Sequence, residues 1–451
     1  MRHLIHVQVD GLLGRFQHDI PFPEDWEFVI VHGPNGIGKT KLLELVQAVA
    51  QDHLHRLLHF PFRSAEFGFS DGSAIQIDRS KQLPLSEEPP DEAHQVLQVT
   101  LAQSNHEPLN FEVTPPLKPV GSVPGARLRM LEHEFPLDRM EQNLWYDRGH
   151  DDYVTLHEIA YRYEGSPVIE SLGLEGSPQE FRDFLADFSV HLIETQRLIR
   201  VAPVHTQQRA QHRVEPSTVL RYATDLTERL GAALAENSRT SQQLDRTFPN
   251  RVLDRELPDG ITDDQIRQRY GVQSALREEL GEIAVLDTAA VDISLPDRNL
   301  HDWERRVLWT YLDDADEKLS TFRHLLDRVQ LLRRIVDSRF LFKQLIIDRE
   351  RGFTFVTETG EDIGADSLSS GEQHELVLVY DLLFNVSPET TVLIDEPELS
   401  LHVSWQQQFL DDIVEISQLA SLRFVVATHS PQIIHTWSER MVPLFGDVES
   451  D

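Results

Sequence analysis

The sequence predicts an α/β fold: a mixed sheet that carries a glycine-rich loop, an antiparallel β-subdomain, and a large helical insertion. Three observations predict it. An apolar strand, a glycine-rich loop and an amphipathic helix follow one another near the N-terminus, and two further apolar strands lie beyond residue 390. Between them, residues 217–345 have helical periodicity and no β pattern. This arrangement predicts that strands from both ends of the sequence form one sheet and that the helices between them form an insertion.

Composition narrows the classes of protein. The 451 residues carry a net charge of −33, from 42 basic and 75 acidic side chains, and include no cysteine. The acidic excess disfavours indiscriminate nucleic-acid binding, because a surface of this sign repels phosphate. The lack of cysteine excludes disulfides and thiolate metal sites. No apolar run reaches the ~18 residues of a membrane span, and no secretory pattern opens the chain, so we expect a cytoplasmic protein.

The glycine-rich loop begins directly after the apolar strand FVIVH, residues 28–32. Residues 33–40, GPNGIGKT, match the pattern G-x4-G-K-[ST], and a helix with regularly spaced leucines is predicted to follow. Strand, loop and helix in this order predict a phosphate-binding loop, with backbone amides and the helix N-terminus facing the anion. Lys39 should reach the β- and γ-phosphates, and the Thr40 hydroxyl should bind Mg²⁺. The predicted nucleotide-binding set also includes Asn35, Gly36, Gly38 and Lys41.

Two carboxylates follow a second apolar strand far along the chain, in TVLIDEPELSLH, residues 391–402. Asp395 stands at the strand end, where a carboxylate that organises Mg²⁺ is expected. Glu396 follows it and could polarise an attacking water as general base. An ordinary strand that ends in an acidic turn would have the same sequence pattern. The pair is therefore informative only together with the loop around Lys39.

Two further motifs lie near this pair. SLSSGEQ, residues 367–373, precedes an amphipathic helix and exposes a helix N-terminus, a second anion site, although a plain serine cap has the same pattern. In LRFVVATHSPQII, residues 422–434, a strand ends beside His429, which could sense a terminal phosphate. A lone histidine more often has a structural role.

The order of the four motifs resembles that of the ABC-type ATPases. Ser369 and Gly371 stand where that superfamily carries its LSGGQ-like signature, although Ser370 and Glu372 depart from it. The resemblance implies that Asp395 and Glu396 form the Walker B pair and that His429 is the switch histidine. It implies ATP and Mg²⁺ as ligands and ATP hydrolysis as the activity.

The resemblance also implies a homodimer or a higher oligomer. In that superfamily the signature of one subunit closes over the ATP that the phosphate-binding loop of another subunit holds. Ser369 and Gly371 would then act on a neighbouring copy, and both ATP sites would be composite.

Spacing indicates the branch of the superfamily. Gly38 and Ser369 are separated by 331 positions, whereas the resemblance implies a much shorter separation of these motifs in transporters. The long insertion resembles the chromosome-maintenance, RecF-like and OLD-type ATPases. Short phrases such as IETQRL and SLHVSWQQQF resemble, more narrowly, the ATPase subunit of Septu anti-phage systems. That family implies a separate HNH-type nuclease partner, and we expect no nuclease within this chain.

The segment HLIETQRLIRV, residues 191–201, is predicted to be a core strand and its exit. Gln196 is the candidate for the glutamine that senses Mg²⁺ and nucleotide in these ATPases. Its neighbour Arg197 could contact phosphate or the dimer face. A polar strand end with a surface arginine would have the same sequence.

The helical insertion contains one long predicted helix, from residue 301 to about 345. Its apolar positions alternate by four and three residues, at 308, 312, 315, 319, 322, 326 and 329. This heptad spacing is compatible with a short protruding helical arm or with a helix in the core of a bundle, and we favour the bundle. The helix also carries a basic series that could face DNA or a partner, or pair with nearby acids such as Asp313, Asp314, Asp316, Glu317 and Asp327. That series is Arg305, Arg306, Arg323, Arg328, Arg333, Arg334, Arg339 and Lys343.

The sequence thus predicts three segments: residues 1–205 as the first half of the ATPase core, 206–345 as the helical insertion, and 346–451 as the second half. We expect an ATPase that senses and regulates a separate nuclease in anti-phage defence. Two alternatives remain open: a DNA-repair or recombination ATPase that binds DNA directly, and an ATP-clamped scaffold with negligible turnover.

Overall fold

The computed structural model describes most of the chain. The described residues are 2–23, 26–81, 95–104, 106–114, 125–141, 144–149, 152–154, 177–194, 218–254, 260–283, 295–399 and 401–444, with positions 156, 159, 162, 163, 166 and 168. Among the helices in these ranges, none is long and apolar enough to cross a bilayer.

The strands are numbered along the chain. They are β1 Leu4–Leu12, β2 Phe16–Pro21, β3 Phe28–His32, β4 Ser64–Phe69, β5 Ala74–Lys81, β6 Gln95–Ala102, β7 Leu109–Val113, β8 Leu137–Glu141, β9 Leu144–Asp147, β10 Asp152–Val154, β11 Val190–Glu194, β12 Lys343–Asp348, β13 Gly352–Thr357, β14 Asp362–Ile363, β15 Thr391–Asp395, β16 Arg423–Thr428 and β17 Met441–Pro443.

The α-helices are numbered in the same way. They are α1 Lys39–Ala50, α2 Leu54–Leu57, α3 Gly125–Glu134, α4 Gln179–Leu185, α5 Thr218–Asp254, α6 Asp263–Glu282, α7 Asp302–Arg339, α8 Ser370–Tyr380, α9 Val403–Gln406, α10 Phe409–Ala420 and α11 Pro431–Ile434. A π-helical turn at Asp381–Asn385 extends α8, and 3-10 turns lie at Ala365–Ser367, Pro397–Leu399 and Ser438–Arg440.

The chain divides into two compact units. The first contains residues 1–195, 388–398 and 421–451, and the second contains residues 196–387 and 399–420. The chain leaves the first unit and returns to it twice, so residues from both ends of the sequence belong to one unit.

A five-stranded parallel sheet lies in the first unit, in the order β11-β15-β16-β3-β17. Its three central strands are apolar and almost fully buried, which is typical of parallel strands covered on both faces. The register pairs Ile30 with Val426 and Ile394 with Val426. The strand before the glycine-rich loop is thus two places from the strand that ends in Asp395, across β16.

A six-stranded antiparallel sheet lies in the same unit, in the order β2-β1-β4-β5-β6-β7. The predicted antiparallel subdomain is therefore present, and it begins with the first two strands of the chain. Helix α1 joins this sheet to the parallel one, because its Leu42, Leu45 and Val49 share a single buried cluster with residues of both sheets. A third sheet, β10-β9-β8, has a small core of its own around Trp145.

The second unit contains the long helices α5, α6 and α7, and a three-stranded antiparallel sheet, β12-β13-β14. Six of the seven predicted heptad positions on α7 are buried, at 312, 315, 319, 322, 326 and 329. Cross-helix bonds secure the bundle: the Asn237 amide of α5 donates to the Lys318 carbonyl at 2.7 Å. The Gln273 amide of α6 donates to the Leu312 carbonyl, also at 2.7 Å. Helix α7 therefore packs in a bundle, which is the alternative that we favoured over a protruding arm.

The end of this helix was predicted wrongly. Helix α7 ends at Arg339, and Lys343 already belongs to strand β12. Phe342 adopts a φ of 64°, a left-handed conformation in which a bulky side chain does not continue a helix. The Asp337 carboxylate then accepts the backbone N–H of Leu345 at 2.7 Å and holds the reversed chain.

The predicted fold class, α/β with an antiparallel subdomain and a large helical insertion, is confirmed. One detail differs from a mixed sheet: all described pairings in the sheet that carries the loop are parallel. Antiparallel pairing is confined to the other sheets.

Candidate nucleotide site

The glycine-rich loop lies between β3 and α1 and has the backbone that its glycines predict. Gly36 and Gly38 have φ angles of 84° and 99°, in the left-handed region that favours glycine. A Cβ on Gly38 would lie 2.8 Å from Leu12 Cδ2. Asn35 and Gly36 are exposed at the top of the loop. The loop is therefore closely supported from below and accessible from above, as a binding loop for an anion requires.

Lys39 begins helix α1, and only 4% of it is exposed. Its ammonium donates to the carbonyl oxygens of Gly33 and Pro34, at 2.8 and 3.2 Å. The positive charge thus lies within the curve of the loop, near the helix N-terminus. Both features favour an anion at this place.

Thr40 and Asp395 lie together although 355 positions separate them. The Thr40 hydroxyl donates to Asp395 Oδ2 at 2.8 Å. Burial raises the pKa of the Asp395 carboxyl, and the nearby Glu396 and Glu44 raise it further, against the hydrogen bond from Thr40 and the charge of Lys39. Several acids crowded beside one hydroxyl form a site that a divalent cation would stabilise.

Lys41 follows Thr40 in the chain, and its side chain contacts Glu44 and Phe60. Its amine forms an ion pair with Glu44 one turn along α1, at 2.5 Å, and lies 5.0 Å from the centre of the Phe60 ring. Its predicted role in nucleotide binding remains a prediction.

Glu396 follows β15 with a φ of 45°, a strained conformation for a residue with a side chain. Its backbone N–H donates to the Ala427 carbonyl at 2.8 Å, which ties the turn to β16. Strain of this kind costs about 1–3 kcal/mol and persists where the surrounding structure imposes it, often at functional sites. The strained turn therefore begins at the residue directly after Asp395, where β15 ends.

His429 lies at the end of β16 and contacts an acid that the sequence analysis did not single out. The ring nitrogen Nδ1 is 3.0 Å from Glu398 Oε1 and 3.8 Å from Glu396 Oε1. Glu398 Oε1 also accepts the Thr428 hydroxyl at 2.8 Å and the His429 backbone N–H at 2.9 Å. Only 7% of the Glu398 side chain is exposed. Glu398 therefore fixes the position of His429, and the third acid of DEPE was the signal available in the sequence.

Ser369 and Gly371 lie in the second unit, at the start of α8. Ser369 is the N-cap and forms a capping box with Glu372. Its hydroxyl donates to Glu372 Oε2 at 2.8 Å, and Lys343 of β12 holds both oxygens of that carboxylate at 2.6 and 2.7 Å. Gly371 is open: a Cβ there would meet no heavy atom within 4 Å. The substitution of glutamine by Glu372 thus gives the helix a carboxylate cap that Lys343 neutralises.

Most of the predicted basic series is engaged by other elements. In the part of the chain that the structure describes, six of these eight side chains, including Lys343 of β12, pair with acceptors on other elements. The contacts are Arg305 with Asp263, Arg328 with the Leu383 carbonyl, Arg333 with Glu282, Arg334 with Glu415, Arg339 with Glu375 and Asp412, and Lys343 with Glu372. Asp314 is instead held by Arg251, and Asp316 by Arg269. These contacts favour the pairing alternative, with partners other than the acids named for it.

Gln196 and its neighbour Arg197, predicted near Mg²⁺ and phosphate, lie outside the described residues. The preceding strand β11 is present as predicted and pairs with β15.

Two curated relatives are retron proteins. The chain is 26% identical over 175 residues to "Retron Vc95 probable ATPase" of Vibrio cholerae serotype O1 biovar El Tor, covering 32% of this chain and 34% of that one. It is 32% identical over 106 residues to "Retron Ec83 probable ATPase" of Escherichia coli, covering 21% and 19%. The chain thus spans about a third and about a fifth of the length of these relatives.

Solved structures similar to the chain include two heads of Smc proteins. One is the Smc head domain with an extended coiled coil bound to the C-terminal domain of ScpA, from Pyrococcus furiosus. It is 13% identical, with a TM-score of 0.34 and coverage of 99% of this chain and 95% of that one. The other is the SMC head domain of Thermotoga maritima, 11% identical, with a TM-score of 0.30 and coverage of 98% and 94%.

A protein family matches residues 210–435, which is half of the chain. The match includes α8, the strand that ends in Asp395, and His429. The chain belongs to the AAA domain family described as "AAA domain, putative AbiEii toxin, Type IV TA system".

Proposed function

We propose that the protein is a Mg²⁺-dependent ATPase of the ABC type. One observation carries the proposal: the Thr40 hydroxyl and the Asp395 carboxylate, from opposite ends of the sequence, meet at 2.8 Å beside Lys39. A phosphate-binding lysine, a hydroxyl and a strand-end carboxylate are the parts that phosphoryl-transfer sites of this class use. The names of the two curated relatives, each of which reads "probable ATPase", support the same activity.

The residues present fit a nucleotide. The left-handed backbone at Gly36 and Gly38 turns the loop around the N-terminus of the 12-residue helix α1. Lys39 is already held inside the loop by two carbonyls, which are weak competitors for an ammonium compared with phosphate oxygens. Lys39 would exchange them for the terminal phosphates of ATP.

The residues also fit magnesium. Among the described residues, no group of three histidine, aspartate or glutamate side chains could hold a metal by itself. Magnesium needs no such cage, since it binds one or two protein oxygens and completes its shell with phosphate and water. Thr40 and Asp395 would hold the ion, which would neutralise charge on the phosphates when bound.

Glu396 is the proposed general base, because its side chain is a quarter exposed and the residue directly follows Asp395 at the end of β15. It would take a proton from the attacking water. His429, oriented by Glu398, would contact the terminal phosphate and report its presence to the end of β16.

The first unit supplies Lys39, Asp395, Glu396 and His429, and the second supplies Ser369 and Gly371. We propose that the α8 start of one copy closes over the nucleotide that the loop of a second copy holds. The exposed Ser369 and the open surroundings of Gly371 support this role, because a phosphate could approach the amides of the helix N-terminus. Association and hydrolysis would then be linked.

We further propose that the ATPase acts in bacterial anti-phage defence, where it senses infection and regulates a separate nuclease. The retron names of the relatives and the toxin in the family description support a defence context. The short phrases that resemble the Septu ATPase subunit favour an HNH-type nuclease as the partner. Affinity purification of the tagged chain with the product of its neighbouring gene tests this, and a neighbour that does not bind in the presence of ATP would contradict it.

The alternative of direct DNA binding has less support. The described arginines of α7 that could face DNA are mostly held by carboxylates, and the net charge is −33. Salt-sensitive DNA binding by the isolated protein would favour that alternative. An ATP-clamped scaffold with negligible turnover would still bind nucleotide, and a steady-state rate distinguishes it.

Two substitutions test the ATPase directly. Lys39→Ala should abolish binding of a fluorescent ATP analogue. Glu396→Gln should leave binding unchanged and lower turnover by ~10²–10⁴-fold, the usual contribution of a general base. Phosphate release and analogue titration measure both. Turnover by the Gln variant at the wild-type rate would refute the assignment of the base.

A further inference from the structure

The β1–β2 hairpin contacts the underside of the phosphate-binding loop through a buried histidine. His18 lies on β2 and is 2% exposed. Its Nε2 is 2.9 Å from the carbonyl oxygen of Ile37, the residue between the two left-handed glycines. The proposed mechanism makes no use of His18, and nothing in the sequence pattern singled it out.

The chemistry of this contact fixes the form of the imidazole. A carbonyl oxygen only accepts hydrogen bonds, so Nε2 must carry the proton and donate it. Burial lowers the pKa of His18, which favours the neutral ring. The ring also stacks on Phe16, with centroids 5.9 Å apart and planes 13° from parallel. His18 is thus a neutral donor, held by its neighbours and directed at one backbone oxygen.

The position of that oxygen matters because the peptide bond is planar and trans. The Ile37 carbonyl and the Gly38 N–H belong to one peptide plane and point in opposite directions. A bond that holds the carbonyl toward the hairpin therefore turns the Gly38 N–H away from it. Leu12, on the first strand of the hairpin, closes on the same peptide, since a Cβ on Gly38 would lie 2.8 Å from its Cδ2.

We infer that His18 is a positioning residue for nucleotide binding: it orients the 37–38 peptide so that the Gly38 amide is presented to phosphate. This inference rests on the proposed function, because it assigns the hairpin a part in the same site. Preorganised amides bind an anion more tightly than mobile ones, since less ordering remains to be done upon binding. The antiparallel sheet would then set the affinity of a loop that belongs to the parallel sheet.

The length of the side chain offers a sharp test. The amide nitrogen of glutamine can take the place of His Nε2, whereas that of asparagine stands where Nδ1 stands and falls short of Ile37. His18→Gln should therefore keep the bond, and His18→Asn should lose it with similar polarity. His18→Phe keeps the ring that stacks on Phe16 and removes the donor.

The measurement is the Kd of a fluorescent ADP, at a temperature well below the melting point of each variant. We expect His18→Phe and His18→Asn to bind about tenfold more weakly, and His18→Gln to bind within about threefold of wild type. Melting temperatures without nucleotide are recorded in parallel. A role in stability alone would lower them without changing the Kd.

Two results would overturn the inference: His18→Asn binding ADP as tightly as wild type, or His18→Gln folding normally and binding as weakly as His18→Asn. Should His18→Phe fail to fold, the comparison of Gln with Asn still decides. Wild type and Lys39→Ala are measured alongside. If wild type does not bind nucleotide, the proposed function itself fails. If wild type binds nucleotide and the Kd is the same for all the His18 variants, only the inference fails.

Discussion

At the scale of single residues, the site depends on groups that position other groups. Lys39, Thr40 and Asp395 could be predicted from the sequence, because their motifs specify chemistry and spacing together. Glu398 could not, because its role exists only once β15 and β16 are neighbours and His429 comes within 3.0 Å of it. The sequence predicts a sensing role for His429, but the acid that contacts its ring is recognised only in the structure.

Glu398→Gln should lower the turnover of ATP about tenfold, equivalent to about 1.4 kcal/mol of activation free energy, while leaving nucleotide affinity unchanged. The amide keeps an acceptor for His429 but loses the negative charge that strengthens the bond to the ring. Steady-state kinetics should place the effect on kcat rather than on KM.

Thr428→Val is the matched variant for this prediction. It removes one of the donors to Glu398 and keeps both contacts of that carboxylate with His429. Its effect should be clearly smaller. If Thr428→Val costs as much as Glu398→Gln, the charge on Glu398 does not act through the histidine ring.

At the scale of elements, buried charges join the helices of the second unit. Arg339, at the end of α7, forms ion pairs with Glu375 of α8 and Asp412 of α10. The side chains of Arg339 and Glu375 are 2% and 1% exposed, and that of Asp412 is 13% exposed. These contacts fix α8, the helix that begins with Ser369, to two neighbouring helices.

Arg339→Met should lower the free energy of unfolding by ~3–5 kcal/mol, because it leaves two carboxylates without their buried partner. Arg334→Met, five residues earlier on the same helix, breaks a pair with Glu415 in which both side chains are about half exposed. It should cost less than ~1 kcal/mol. Urea denaturation followed by circular dichroism measures both, and equal losses would contradict the role given to the buried cluster.

The prediction of elements was limited by tertiary contacts. The heptad spacing of α7 identified its buried face, since spacing on one helix is a local property. The partners of its arginines lie on other helices and could not be read from local spacing. The turn at Phe342 was missed for a similar reason. Residues 340–342 are apolar and extend the apolar pattern of the helix. The reversal of the chain depends on tertiary contacts, among them the hydrogen bond from the Leu345 N–H to the Asp337 carboxylate.

At the scale of the whole molecule, the proposal requires two copies of the chain. The residues proposed to bind nucleotide and the α8 start belong to different compact units, so each proposed composite site would take one unit from each copy. Two copies of charge −33 repel one another. At physiological salt, screening limits this repulsion to about 8 Å. Contacts through bound nucleotide would have to outweigh it.

The most direct measurement of this claim mixes two inactive variants. Lys39→Ala disables the loop, and Gly371→Glu places a negative charge at the start of α8, where an added Cβ would have no heavy atom within 4 Å apart from the adjoining backbone of its own helix. Gly371→Ala is the control that keeps the charge unchanged and should retain activity. Each disabled variant alone should be inactive.

A mixed dimer would contain one site with both Lys39 and Gly371 intact and one site with neither. With random pairing, the mixture should recover up to about one quarter of the wild-type ATPase rate. Recovery would show that the two elements act across copies of the chain. A mixture that stays as inactive as its components, while size-exclusion chromatography shows that the variants do associate, would contradict the account at its centre.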